Sequence, residues 1–129
     1  MQDKQDHYGI VLFAHGSRDP LWRAPIEAVR QHLEAQHPPA QQPTSVRCAY
    51  LELCTPSLPD AVQELAAQGA SRITVVPMFL GTGKHAREDL PVLMQDLRSA
   101  HPGVQFHVQQ AIGEDARMTA LMAEIAQGS

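Results

Sequence analysis

Two stretches of the chain are almost uninterrupted in their apolar character, residues 8–14 (YGIVLFA) and 73–80 (ITVVPMFL). Runs of this length read as strands buried on both faces of a sheet. Two others alternate. In 46–53, Val46, Cys48 and Tyr50 interleave with Arg47 and Ala49; in 104–108, Val104, Phe106 and Val108 interleave with Gln105 and His107. Alternation of this kind predicts half-exposed edge strands.

Four helices are predicted between and after these runs. The first covers 21–36, with Asp19 placed to cap it, Pro20 to begin it, and Ala24, Ala28, Val29 and Leu33 as its apolar stripe. His37-Pro38-Pro39 stops it, and 38–43 is a polar, proline-rich connector. The second covers 58–68, opened by Thr55-Pro56-Ser57 and closed by Gly69. The third covers 86–100, between Gly81-Thr82-Gly83 and His101-Pro102-Gly103, and the last covers 114–126.

Strands alternating with helices imply an α/β fold: a four-stranded parallel sheet with helices on both faces. With the continuous runs central and the alternating ones at the edges, the strand order is 2-1-3-4. This is flavodoxin-like, and its switch point lies between the first and third strands. A length of 129 residues fits one domain spanning 1–129, with 1–7 as a flexible tail.

Composition narrows the function. The apolar share of 43% supports an ordinary core, and a net charge of −4 argues against a nucleic-acid partner. The polar start holds no signal sequence or anchor, and no run approaches the ~20 apolar residues of a membrane span. Cys48 and Cys54 match no zinc or redox spacing, as expected of reduced, structural thiols in a cytoplasmic protein.

Ligands of open α/β sheets bind beyond the carboxyl ends of the strands, at the switch point. His15 follows the first strand, Glu52 ends the second, and His85 follows the third. Two imidazoles and a carboxylate on one rim form a donor set for a borderline divalent metal such as cobalt, nickel, iron or zinc. Each has a plainer alternative: a histidine can be structural, and Glu52 can be a capping or solvated carboxylate. His7, His32, His37, His101 and His107 are assigned no function. Arg18, Arg23, Lys84 and Arg87, four of the ten basic residues, fall in the two loops after the central strands, where they suit an anionic ligand. Gly81-Thr82-Gly83-Lys84 lacks the spacing of a Walker loop, and Ala14 stands where a phosphohistidine motif needs arginine.

The segments LFAHGSRDP (12–20), AYLELCTPSL (49–58) and VVPMFLGTGKHAREDLP (75–91) resemble the small CbiX-type sirohydrochlorin chelatases, class II chelatases of siroheme and cobalamin synthesis. The resemblance covers about residues 8–126. It implies a chelatase-type fold and a lyase that inserts cobalt or iron, with nickel also open, into sirohydrochlorin. His15 and His85 would then be the metal-binding and proton-handling pair, and Glu52 would assist. Asp89 and Pro91 fall in register with the family's G-x-H-x-x-x-D-[IL]-P pattern. Larger relatives carry two such domains, so the resemblance also implies a homodimer with the cleft between copies.

The chemistry agrees with these roles. Imidazoles and one carboxylate release a metal more readily than thiolates do, and histidine accepts pyrrole protons near neutral pH. Ser17, Arg18, Lys84 and Arg87 are expected to hold the carboxylates of the macrocycle. The metal is a substrate, and no organic cofactor is expected. The competing expectations are a non-catalytic metal or tetrapyrrole carrier of the same fold, and a phosphate-binding α/β enzyme using the loop after the third strand.

Overall fold

The computed structural model describes residues 7–36 and 44–128. Its order is β1 (His7–Ala14), α1 (Ala24–Gln36), β2 (Thr44–Tyr50), α2 (Leu58–Ala67), β3 (Ala70–Pro77), α3 (Lys84–Ala100), β4 (Gln105–Val108), a 3-10 turn (Ile112–Glu114) and α4 (Ala116–Ala126). All strand pairs are parallel and the spatial order is β2-β1-β3-β4, as the hydrophobic pattern predicts. The continuous runs became the two central strands because their side chains meet cover on both faces.

The crossover from β1 to β2 runs opposite to those from β2 to β3 and from β3 to β4. Right-handed connections therefore put α1 on one face and α2 with α3 on the other. The α2–α3 face is the main core, where Val11, Phe13, Val62, Leu65, Ile73 and Val75 are buried. Each such side chain stabilises the fold by about 1.5–3 kcal/mol. Ser57 caps α2 by accepting from Asp60 N at 3.2 Å. The opposite face is smaller: Ile10, Leu12, Val46, Cys48 and Val76 lie under Ile26 and Leu33 of α1.

Several boundaries differ from the sequence expectation. Helix α1 starts at Ala24 rather than residue 21, because Asp19 closes a turn first, accepting from Leu21 N at its Oδ1 (3.0 Å) and from Trp22 N at its carbonyl (3.0 Å). Its inward side chains are Ile26 and Leu33; Ala24 and Ala28, expected in the stripe, are exposed. Strand β2 begins at Thr44 and stops at Tyr50, so Glu52 and Leu53 lie in a loop where Leu53 has φ 70°. Strand β3 spans Ala70–Pro77 and leaves Phe79 beyond its end. Helix α3 starts two residues earlier than expected, at Lys84, with Gly83 as its N-cap. His7, expected in a tail, opens β1 and bonds Ser45 Oγ through Nε2 at 2.9 Å. His37 and the connector 38–43 lie outside the described residues.

Helices lie on both faces, but unequally. The last helix begins at Ala116 after a 3-10 turn, and none of its residues is buried. Among the described residues its close packing is on the 3-10 turn.

Candidate functional site

The carboxyl ends of β1 and β2 are joined by backbone alone. Leu51 N donates to Ala14 O (2.9 Å) and Glu52 N to His15 O (3.0 Å), which continues the parallel ladder two residues beyond the strands. Gly16 makes this possible. Its φ is 104°, and a Cβ there would collide with the carbonyl oxygen of Glu52. His15 and Glu52 thus stand on adjacent, fixed segments of one rim, both exposed.

His15 also rests on Phe79. The ring centroids are 4.3 Å apart with an interplanar angle of 32°, and Phe79 is buried against Phe13 at 6.0 Å. The imidazole is therefore supported from below by core, with its edge toward solvent. Among the described residues neither ring nitrogen of His15 has a hydrogen-bond partner, and the same is true of His85, so their lone pairs remain available to a ligand. Met78 N donates to Phe13 O at 2.7 Å, which ties the segment after β3 to the end of β1.

His85 sits in the first turn of α3, behind Gly83, which caps the helix without a side-chain bond. That turn holds no acidic residue. Its exposed N–H groups, with Lys84, make this corner electropositive. Arg87 Nη1 donates to Thr82 O at 2.7 Å, so one rim base is fixed across the loop. Arg18 and Lys84 are exposed, and Ser17 Oγ accepts from Asp19 N at 3.0 Å, which shapes the loop after β1. Arg23 is stacked 5.2 Å above the Tyr50 ring, and Trp22 meets the same ring at 6.1 Å.

The sequence missed Phe79 as the floor under His15 and Tyr50 as the anchor for Trp22 and Arg23. Phe79 looked like one more residue of an apolar strand, and no short-range signal tells a strand residue from one just past its end.

Within one chain, no group of three His, Cys, Asp or Glu residues among the described residues is close enough to hold a metal ion. His15, Glu52 and His85 share the rim as single donors, open to a ligand that approaches from outside. The hollows lined by Tyr8, Arg72 and His107, and by Thr82, Arg87 and Pro91, contain none of the three. Among the described residues no helix is long and apolar enough to cross a membrane.

A parallel sheet of order 2-1-3-4 with imidazoles at the rim of its switch point defines a flavodoxin-like α/β protein of the chelatase type. The CbiX family model matches residues 9–128, and the chain belongs to the CbiX family. It is 34% identical over 85 residues to a sirohydrochlorin cobaltochelatase of Methanopyrus kandleri, covering 66% of this chain and 57% of the relative. A sirohydrochlorin cobaltochelatase of Sulfurisphaera tokodaii is 26% identical over 121 residues, 91% of this chain and 89% of the relative. Among solved structures, a putative cobalamin biosynthesis CbiX protein from Marinobacter aquaeolei superposes with a TM-score of 0.79 at 30% identity, covering 94% and 95% of the two chains. The sirohydrochlorin chelatase SirB from Bacillus subtilis subspecies spizizenii, in complex with cobalt, shares the fold with a TM-score of 0.77 at 24% identity. This chain covers 95% of itself but 50% of that one. The chain also spans little more than half the length of the Methanopyrus relative.

Proposed function

We propose that the protein inserts a divalent metal, cobalt or iron, into sirohydrochlorin. The observation that carries this reading is the pair of imidazoles with unpaired ring nitrogens, His15 and His85, each following a central strand of a CbiX-family sheet. Relatives named as sirohydrochlorin cobaltochelatases, and a sirohydrochlorin ferrochelatase of Arabidopsis thaliana 32% identical over 109 residues, support the substrate and both metals.

In this reading His15 and His85 bind the incoming ion and, once it has passed to the macrocycle, take up on the freed ring nitrogens the two protons that leave the pyrrole nitrogens. The balance is one M2+ in and two H+ out. Phe79 holds the His15 ring so that its free edge meets the ligand, and Glu52 adds a carboxylate to the metal or to proton transfer. Ser17, Arg18, Lys84 and Arg87 receive the carboxylates of the macrocycle by charge-assisted bonds. One chain offers too few donors at one point, which favours a homodimer whose two rims face each other across the substrate. The free thiols Cys48 and Cys54 are consistent with a cytoplasmic, reducing setting.

An anaerobic absorbance assay with sirohydrochlorin and cobalt(II) or iron(II) tests this. Spectral conversion of many equivalents of tetrapyrrole per chain is the expected result. Conversion that stops at one equivalent, with ligand retained, would make the protein a carrier instead.

A further inference from the structure

Eight large apolar side chains are exposed among the described residues, and half of them stand on the three loops of one rim: Leu21, Trp22, Leu53 and Leu80. The other four are spread over α1, α3 and α4. A single exposed leucine is ordinary, whereas several on the rim of a switch point mark a place where something apolar binds. Trp22 already has a partner in the fold, the Tyr50 ring. Leu53 is 52% and Leu80 67% exposed.

These two leucines flank His15. Strand β1 lies between β2 and β3, so His15 has the β2 loop on one side and the segment after β3 on the other. Leu53 follows Glu52, whose N–H donates to His15 O at 3.0 Å. Leu80 follows Phe79, whose ring centroid lies 4.3 Å from that of His15. Each leucine is therefore one residue beyond a group fixed to His15.

The backbone is shaped to present them. Leu53 has φ 70°, and among the described residues no other non-glycine residue has a positive φ. A leucine in the left-handed region is strained where glycine or asparagine would sit freely. Leu80 is pinned from below. Gly113 N donates to Phe79 O at 2.9 Å, and Gly113 lies so close to the Leu80 backbone that no Cβ would fit. Strain at a half-exposed apolar residue adds nothing to the core, and such strain belongs to functional sites.

Charge selects the occupant. Arg18, Lys84 and Arg87 stand on the same rim, and among the described residues none of them is in a salt bridge. A second copy pressed directly on this rim would bring the same three bases against them, and like charges disfavour that contact. A flat ring system with apolar faces and carboxylates round its edge satisfies leucines and bases together. We propose that Leu53 and Leu80 are substrate-binding residues that take the apolar face of the macrocycle on the two sides of His15. They make the rim select a tetrapyrrole over a small anion, which the bases alone would hold. The inference rests on the function proposed above and adds the residues that recognise the ring.

The test is an absorbance titration of metal-free sirohydrochlorin against the full chain, beside urea midpoints. Leu53→Asn keeps the size of the side chain and suits the left-handed backbone, and Leu80→Gln keeps its length. Each is expected to bind roughly 5–20-fold more weakly, with an unchanged urea midpoint or, for Leu53→Asn, a higher one. The loss is expected to persist in ~1 M KCl, which screens the bases but not an apolar contact. Leu53→Met and Leu80→Met are expected to bind like the wild type. Wild-type affinity in both polar variants, a loss matched by a fall in stability, a loss that vanishes in KCl, or an equal loss in the methionine variants would each overturn the inference. A wild type that binds the macrocycle without turnover overturns the chelatase reading and leaves this inference standing. A wild type that binds none overturns both.

Discussion

The His15 imidazole lies on the buried ring of Phe79, centroids 4.3 Å apart, so the first donor of the rim is set by the core rather than by its loop. Phe79→Leu keeps an apolar floor but removes the ring contact, worth about 0.5–1.5 kcal/mol. Metal insertion is expected to fall roughly 2–10-fold with the fold intact, measured by initial rates beside a thermal melt. Phe79→Ala is expected to cost the fold itself about 3–5 kcal/mol.

Gly16 carries the second constraint. Gly16→Ala forces a side chain onto the Glu52 carbonyl at a φ of 104°, and it must open the bonds that join the β1 and β2 loops. A loss of about 2–3 kcal/mol is expected from urea denaturation, with insertion lost beyond what the fold change explains. Unchanged stability would show that the loop junction is not as close as described.

Arg87 fixes the loop before α3 through Thr82 O at 2.7 Å and offers further donors to an anionic ligand. Because it is exposed, the effect is modest. Arg87→Ala is expected to raise KM for the tetrapyrrole about 3–10-fold with a smaller change in kcat, and Arg87→Lys to recover part of it.

Burial pushes the Cys48 thiol up from 9.0 to about 12, with Glu27 adding to the shift, and pushes the Tyr50 hydroxyl up from 10.0 to about 12. The folded chain thus holds these protons more tightly than the unfolded chain. The stability from the neutral groups is fully present below pH ~9 and declines as pH rises toward 12, by up to ~1.4 kcal/mol per unit and group. Urea midpoints at pH 8, 9.5 and 10.5 are expected to fall, and Cys48→Ala to fall less steeply. At pH 8 a thiol reagent should titrate one cysteine, the half-buried Cys54, in the native protein and two in urea.

Much of this was legible along the chain. The strand order followed from which apolar runs were continuous, and the rim residues from where those runs end. The α1 boundary was not legible, because Asp19 can begin a turn or a helix with the same side-chain bond. Nor was the support of His15: Phe79 acts through a contact with a residue 64 positions away, for which no spacing rule exists. Nor was the start of α4, which the 3-10 turn and the Asp115 cap set two residues later than the sequence pattern suggests.

The most direct test of the whole reading is the initial rate of cobalt(II) insertion into sirohydrochlorin under anaerobic conditions, wild type beside a His15→Ala, His85→Ala double variant with a matching thermal melt. The expected result is multiple turnover by the wild type and a rate at the metal-only background for the variant. A double variant that inserts cobalt as fast as the wild type would contradict the assignment of these two histidines as the pair that binds metal and takes up the pyrrole protons.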